Sequence, residues 1–257
     1  MDIAINDLIQ PIFALWLPFV RIYAFMHVCP LLDNRAFSRK AKLGLALLLS
    51  IIMTPMLAHN VVLRDLMSVQ SLILTGEQIF WGFLFGQMLW WTFWALQTAG
   101  NILSMNMGLG MAVMNDPTSG SSTMVISQII QVWAALLFFS MDGHLLLMSI
   151  LFSGFTYWPI GQAINEISLR TLSGGVGWIF SGALLLAMPT VIIMMLVQGV
   201  FGLLNRISPT LNLFALGFPI SMLFGLFCFT LLMGNVGSHY LELTNQVLGM
   251  LEKMRSY

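Results

Sequence analysis

The chain has 257 residues, of which 58% are hydrophobic and only 8% charged, and its mean hydropathy is +0.90. Soluble domains carry about 25% charged residues, so this composition excludes an ordinary soluble fold and indicates an integral membrane protein. Ten basic and ten acidic residues cancel, which argues against nucleic acid as a partner.

No charge occurs between Glu77 and Asp116, between Arg170 and Arg206, or between Arg206 and Glu242. Each interval exceeds the ~20 residues a helix needs to cross a bilayer core. Cys29 and Cys228 sit in apolar runs and read as small core residues rather than a disulfide or metal pair. Asp2 and Asp7 precede the first base, Arg21, the wrong polarity for a cleaved signal peptide, so the first apolar segment is expected to stay in the mature protein.

Helix one is expected from about Leu8 to Leu32, with Pro11 near its start and a kink at Pro18. It contains Arg21, a charge that costs roughly 2.5 to 3.5 kcal/mol at a bilayer centre and should therefore face protein or a water-filled cavity. His27 reads as a hydrogen-bonded core residue rather than a ligand. Arg35, Arg39, Lys40 and Lys42 against Asp33 form the densest basic cluster, which the positive-inside rule places in the cytoplasm, with the N-terminus outside. Helix two follows over about Leu43 to Val62, with a kink at Pro55, and helix three over roughly Leu66 to Ala99.

In helix three, Gly82 and Gly86 form a GxxxG pair that admits a second helix backbone. Trp81, Trp90, Trp91 and Trp94 are too many to lie together at one membrane interface. Glu77 reads as an interfacial carboxylate or, alternatively, as a buried partner for Arg21.

The stretch Gly100 to Thr123, GNILSMNMGLGMAVMNDPTSGSST, is too rich in glycine and methionine for a regular span and too apolar for a solvated loop. Met105, Met107, Met111, Met114 and the following Met124 offer pliable contact surface, and Gly108 and Gly110 a permissive backbone. Two readings stand: a deformable constriction inside a membrane assembly, and a loop packed between helices.

Helix four starts near Met124 and meets Asp142-Gly143-His144 inside an apolar run to Trp158, so a break is expected there. Asp142 and His144 read either as a proton relay or as a structural break pinned by Asp142. Two residues apart on a helix, they would not share a face for a metal. A looser segment, Pro159 to Gly177, carries Glu166, Arg170 and Ser173-Gly174-Gly175. Two uncharged helices then form a hairpin with its tip at Asn205, Arg206 and Pro209 and kinks at Pro189 and Pro219.

As continuous helix, the uncharged run Thr171 to Asn205 would reach ~50 Å, well beyond a ~30 Å core, so these helices tilt and break or are covered by other subunits. The tail from Glu242 to Tyr257 reads as a moderately amphipathic helix. The fold expected from these features is an all-α membrane protein of about six long, kinked apolar helices. Nucleotide loops, HExxH, paired catalytic carboxylates, GxSxG and CxxC do not occur, so neither an enzyme nor a cofactor or metal site is expected. A transport or assembly role remains, one form of which is a solute or ion transporter with Arg21, Glu77, Asp142 and His144 lining a midplane site.

Five groups of residues, in this order, carry a family resemblance. They are Arg21 with Pro30 and the basic loop running into KLGLALLLSIIMTP; Glu77 with Gly82 and Gly86; AGNILSMNMGLG followed by Asp116-Pro117; Asp142-Gly143-His144 with Trp158-Pro159; and NRISPTLNLFALGFPI. Together they resemble the FliR family, the R-type membrane components of the bacterial flagellar type III export gate, related to the T-type component of injectisomes. Phe37-Ser38 departs from the family, where relatives often have a proline before the basic pair.

The resemblance implies a P-type-like four-helix part over residues 1–165, a Q-type-like hairpin over 166–241 and a tail helix over 242–257. It implies P-type and Q-type partners (FliP and FliQ), further export membrane components, membrane lipid, and unfolded flagellar proteins as cargo, in the bacterial inner membrane at the flagellar basal body. It places a plug in the channel at the loop of residues 100–123. The closing residues would be Gly108, Leu109, Gly110, Met111, Ala112, Val113 and Met114, with Leu109, Met111, Val113 and Met114 as the apolar seal. Asp116 and Pro117 would turn the chain back out, while energy for export would come from other components and the proton gradient.

Overall fold

The computed structural model describes residues 2–29, 38–57, 68–111, 113–115, 122–161, 166–207 and 213–255. In chain order these form α1 (Asp2–Val28), α2 (Arg39–Met53) with a 3-10 turn (Thr54–Leu57), and α3 (Val69–Asn106). A 3-10 turn (Leu109–Met111), strands β1 (Val113–Asn115) and β2 (Ser122–Met124), α4 (Val125–Ser140) and α5 (Gly143–Tyr157) follow. The chain continues with α6 (Glu166–Ile207), α7 (Leu213–Met233) and α8 (Val236–Arg255).

Apart from the one short hairpin, the described chain is helical, as expected, but it has eight α-helices rather than about six. The break at Met141-Asp142 divides one expected span into α4 and α5, and α8 begins at Val236, upstream of the expected tail. Helix two is shorter than expected, because the chain leaves α-geometry at Thr54 for the 3-10 turn that holds Pro55. Its start is set by Ser38, whose Oγ accepts from the Ala41 amide at 3.2 Å.

The segment after Pro159 is also more regular than its composition suggests. Helix α6 is already formed at Glu166, which pairs with Arg170 one turn on at 2.7 Å. It runs through Ser173-Gly174-Gly175, and Gly175 is where the buried Trp91 indole lies, so a side chain at that position would overlap the ring. The glycine there serves close packing rather than flexibility. Asn205 and Arg206 are in the last turn of α6, and Pro209 lies outside the described residues.

By length and composition, Val69–Asn106 and Leu169–Ile207 are each able to cross a membrane. Two bent pairs, α4 with α5 and Pro219–Met233 with Val236–Met254, raise the number of candidate spans to four if each pair counts as one. At 1.5 Å per residue the 42 residues of α6 reach about 63 Å, twice a bilayer core.

The chain divides into two compact units. The first holds residues 1–90, 142–174 and 248–257. In it α1 packs on α2 and runs along α3, and Trp81, Phe85 and Trp158 stack with centroids 5.3–5.9 Å apart. Gly82 and Gly86 face the α1 backbone: a Cβ at Gly82 would meet the Arg21 carbonyl and lie 3.0 Å from the Phe25 amide nitrogen. One at Gly86 would lie 3.1 Å from the Phe25 carbonyl oxygen.

The second unit holds residues 91–141 and 175–247. Helix α6 buries a single stripe there, Ile179, Ala183, Leu186, Ala187, Thr190 and Met194, at helical spacing. Its other faces are equally apolar yet open: Leu185 is 69% exposed, Met195 64% and Leu196 67%. A soluble helix would be polar there, so this surface is built for lipid or for other chains.

Candidate functional site

The stretch that the sequence singles out begins where α3 ends. Gly108 follows the helix with φ 77°, the left-handed turn that only glycine makes without steric cost, and its amide donates to the Met105 carbonyl at 3.1 Å. Gly110 is not in that region, so the bend expected of both glycines rests on Gly108.

Beyond the 3-10 turn the chain folds into an antiparallel hairpin, with Val113 opposite Met124, Met114 opposite Thr123 and Asn115 opposite Ser122. This β-structure was not foreseen; the signal was the β-branched Val113 and Thr123 flanking the turn-forming Asn115-Asp116-Pro117. Gly108 is exposed, and Leu109 and Gly110 are half-buried. For Met111, Val113 and Met114 only the backbone path is described, while Ala112, Asp116 and Pro117 lie outside the described residues.

Both roots of this loop are clamped. Helix α4 crosses α3 at Gly100, where an added Cβ would sit 2.6 Å from Ser127 Cα, and Ser127 Oγ donates to the Gln97 carbonyl at 2.9 Å. Gln198 Nε2 on α6 donates to the Asn106 carbonyl at 3.0 Å. Met107, fully buried, lies in the notch left by Gly225 on α7. Sequence reasoning passed over Gly100, Ser127, Gln198 and Gly225. Gln198 alone left a trace, as the single polar residue between Thr190 and Asn205.

Among the described residues, Arg21, Glu77, Asp142 and His144 share no hydrogen bond or ion pair with one another. Arg21 is fully buried, and its guanidinium is held by main-chain oxygens: Nη1 donates to the Gly154 and Trp158 carbonyls at 3.1 and 3.0 Å, and Nη2 to Trp158 at 3.0 Å. The Phe155 ring centroid lies 4.4 Å from the guanidinium carbon. Glu77 is half-buried with Oε2 unpartnered, and no ion pair joins it to Arg21 among the described residues.

Asp142 and His144 are exposed at the opposite end of α5. At 1.5 Å per residue, roughly 15 Å of α5 separates His144 from the Gly154 carbonyl that holds Arg21, and roughly 21 Å from that of Trp158. Among the described residues no three His, Cys, Asp or Glu side chains come together as metal ligands.

These features define a membrane-type helical protein whose distinctive element is an apolar stretch joining two clamped helix ends, a transport or assembly component. Residues 12–247 match the family described as bacterial export proteins, family 1, and the chain belongs to that family. It is 31% identical to the flagellar biosynthetic protein FliR of Pectobacterium carotovorum, over 95% of this chain and 94% of that one. It is 32% identical to FliR of Escherichia coli K12, over 91% and 89%. It is 28% identical to the Yop proteins translocation protein T of Yersinia pestis, over 87% and 89%. The resemblance read from the motifs is thereby established over nearly the whole chain.

Proposed function

We propose that the protein is a subunit of a flagellar type III export gate in the bacterial inner membrane, completing a channel with P-type and Q-type partners, and that residues 108–114 are its plug. Similarity to the FliR proteins of Pectobacterium carotovorum and Escherichia coli over almost full length supports a flagellar apparatus. One observation supports the plug: the apolar stretch of the sequence connects helix ends that are clamped on both sides.

Pliable apolar side chains in a narrow lumen exclude water and ions at rest and give way to an unfolded chain. The uncovered apolar faces of α6 and α7 suit neighbouring subunits. The transporter reading has less support, since Arg21 is occupied by carbonyls while Asp142 and His144 lie at the other end of α5.

The test is deletion of Leu109 to Met114. The variant should still co-purify with the partner subunits but make the membrane leaky to ions and small solutes; an equally tight membrane would rule the plug out.

A further inference from the structure

Three consecutive residues at the end of α3 are treated differently by the fold. Asn106 offers a carbonyl that, in the last turn of a helix, has no intrahelical donor; the Gln198 side chain supplies one at 3.0 Å. Met107 is fully buried, and its side chain fills the space where any Cβ at position 225 would stand, 3.1 Å from Met107 Cβ. Gly108 then takes φ 77° and is exposed. The order is bond, wedge, hinge.

Neither contact is explained by helix packing alone. A side-chain amide on an otherwise apolar stretch of α6 is costly in a membrane unless it is bonded, and this one is directed at the loop root rather than at a polar residue of a neighbouring helix. Glycine inside α7 weakens that helix relative to alanine, and the three atoms nearest a Cβ at 225 all belong to Met107.

We propose that Gln198 and Gly225 are positioning residues that latch the loop root to α6 and α7, so that the chain departs from α3 at Gly108 and not within the helix. This rests on reading the loop as a seal. It adds that the seal is tight because its root is fixed from outside the loop, by two helices whose other faces are open at Leu185, Leu196, Leu223 and Phe227.

The experiment compares Gly225→Ala, Gln198→Leu, Met107→Ala and the double variant Met107→Ala/Gly225→Ala in the assembled gate. Each is scored for co-purification, for solute leak and, with a spin label at Leu109→Cys in a chain lacking Cys29 and Cys228, for mobility of the loop. Gly225→Ala and Gln198→Leu should assemble normally, leak several-fold more than the parent and carry a more mobile label. The double variant should return towards the parent, because the shortened side chain restores the space.

Wild-type leak and label mobility in Gly225→Ala and Gln198→Leu, beside a leaky Leu109 to Met114 deletion, would overturn the latch and leave the plug standing. A mobilised label with a tight deletion would do the reverse. A double variant no better than Gly225→Ala would show that size matching at Met107 is not what holds the root, and the latch would fall.

Discussion

Arg21 donates from both terminal nitrogens to a single acceptor, the Trp158 carbonyl, at 3.0 Å each. Trp158 follows α5, and its carbonyl and that of Gly154 belong to a helix end that faces the protein interior. The charge therefore satisfies a buried helix terminus, and its sign matches the partial negative charge of that end.

Removing the guanidinium leaves two buried carbonyl contacts unmade together with a cavity under Phe155. Arg21→Met should cost about 3 kcal/mol, from 1–3 kcal/mol for each unsatisfied buried group offset by partial relaxation. Arg21→Lys should rescue only part of this, because a single ammonium on a flexible stem cannot reproduce the planar fork. The check is the temperature at which the purified export-apparatus complex loses this subunit in detergent.

Glu77 behaves oppositely. Since Arg21 is already held by carbonyls and makes no ion pair with Glu77, Glu77→Gln should change stability by less than about 1 kcal/mol. The exchange Arg21→Glu with Glu77→Arg should be no better than Arg21→Glu alone. Recovery of assembly by the exchange would mean that the two charges pair in the working complex.

Two glycines of α3 separate packing from propensity. Gly82 faces the α1 backbone, whereas nothing lies within 4 Å of a Cβ at Gly76. Gly76→Ala should stabilise by about 0.5–1 kcal/mol through helix propensity. Gly82→Ala should destabilise by at least 1–3 kcal/mol, because the obstacle is main chain and cannot rotate away. Thermal stability of the two variants, measured side by side, should shift in opposite directions.

How far this was legible in the sequence depends on whether a residue announces its partner. Arg21 in an apolar run announced that it needed one. That the partner would be the end of α5 was invisible, because a carbonyl is common to every residue. The GxxxG pair at Gly82 and Gly86 has a spacing that carries meaning, whereas Gly175 and Gly225 are isolated, and an isolated glycine does not say whether it serves a turn, mobility or a neighbour. Gly174-Gly175 was thus read as part of a looser segment and proves to be helix, with Gly175 packed against Trp91. The apolar composition of α6 gave the helix but not its buried stripe, since all its faces are apolar and no hydrophobic face stands out.

Asp142 sits with φ 54° and ψ 31° in the left-handed region, the one non-glycine residue to do so among those described. It occupies the N-cap position of α5, but its side chain makes no capping bond; its carbonyl accepts from Leu145 and Leu146 at 2.8 and 3.2 Å. The break was expected at this residue, but the backbone makes it and the carboxylate does not.

Asp142→Gly should therefore be neutral or stabilising by up to about 1 kcal/mol, and Asp142→Asn, which tolerates the same conformation, nearly neutral. Asp142→Val, with a branched side chain in that region, should cost more than either. Motility and export of flagellar proteins should survive Asp142→Asn and Asp142→Gly. Loss of export in both, with assembly intact, would return the carboxylate to a direct role in moving protons.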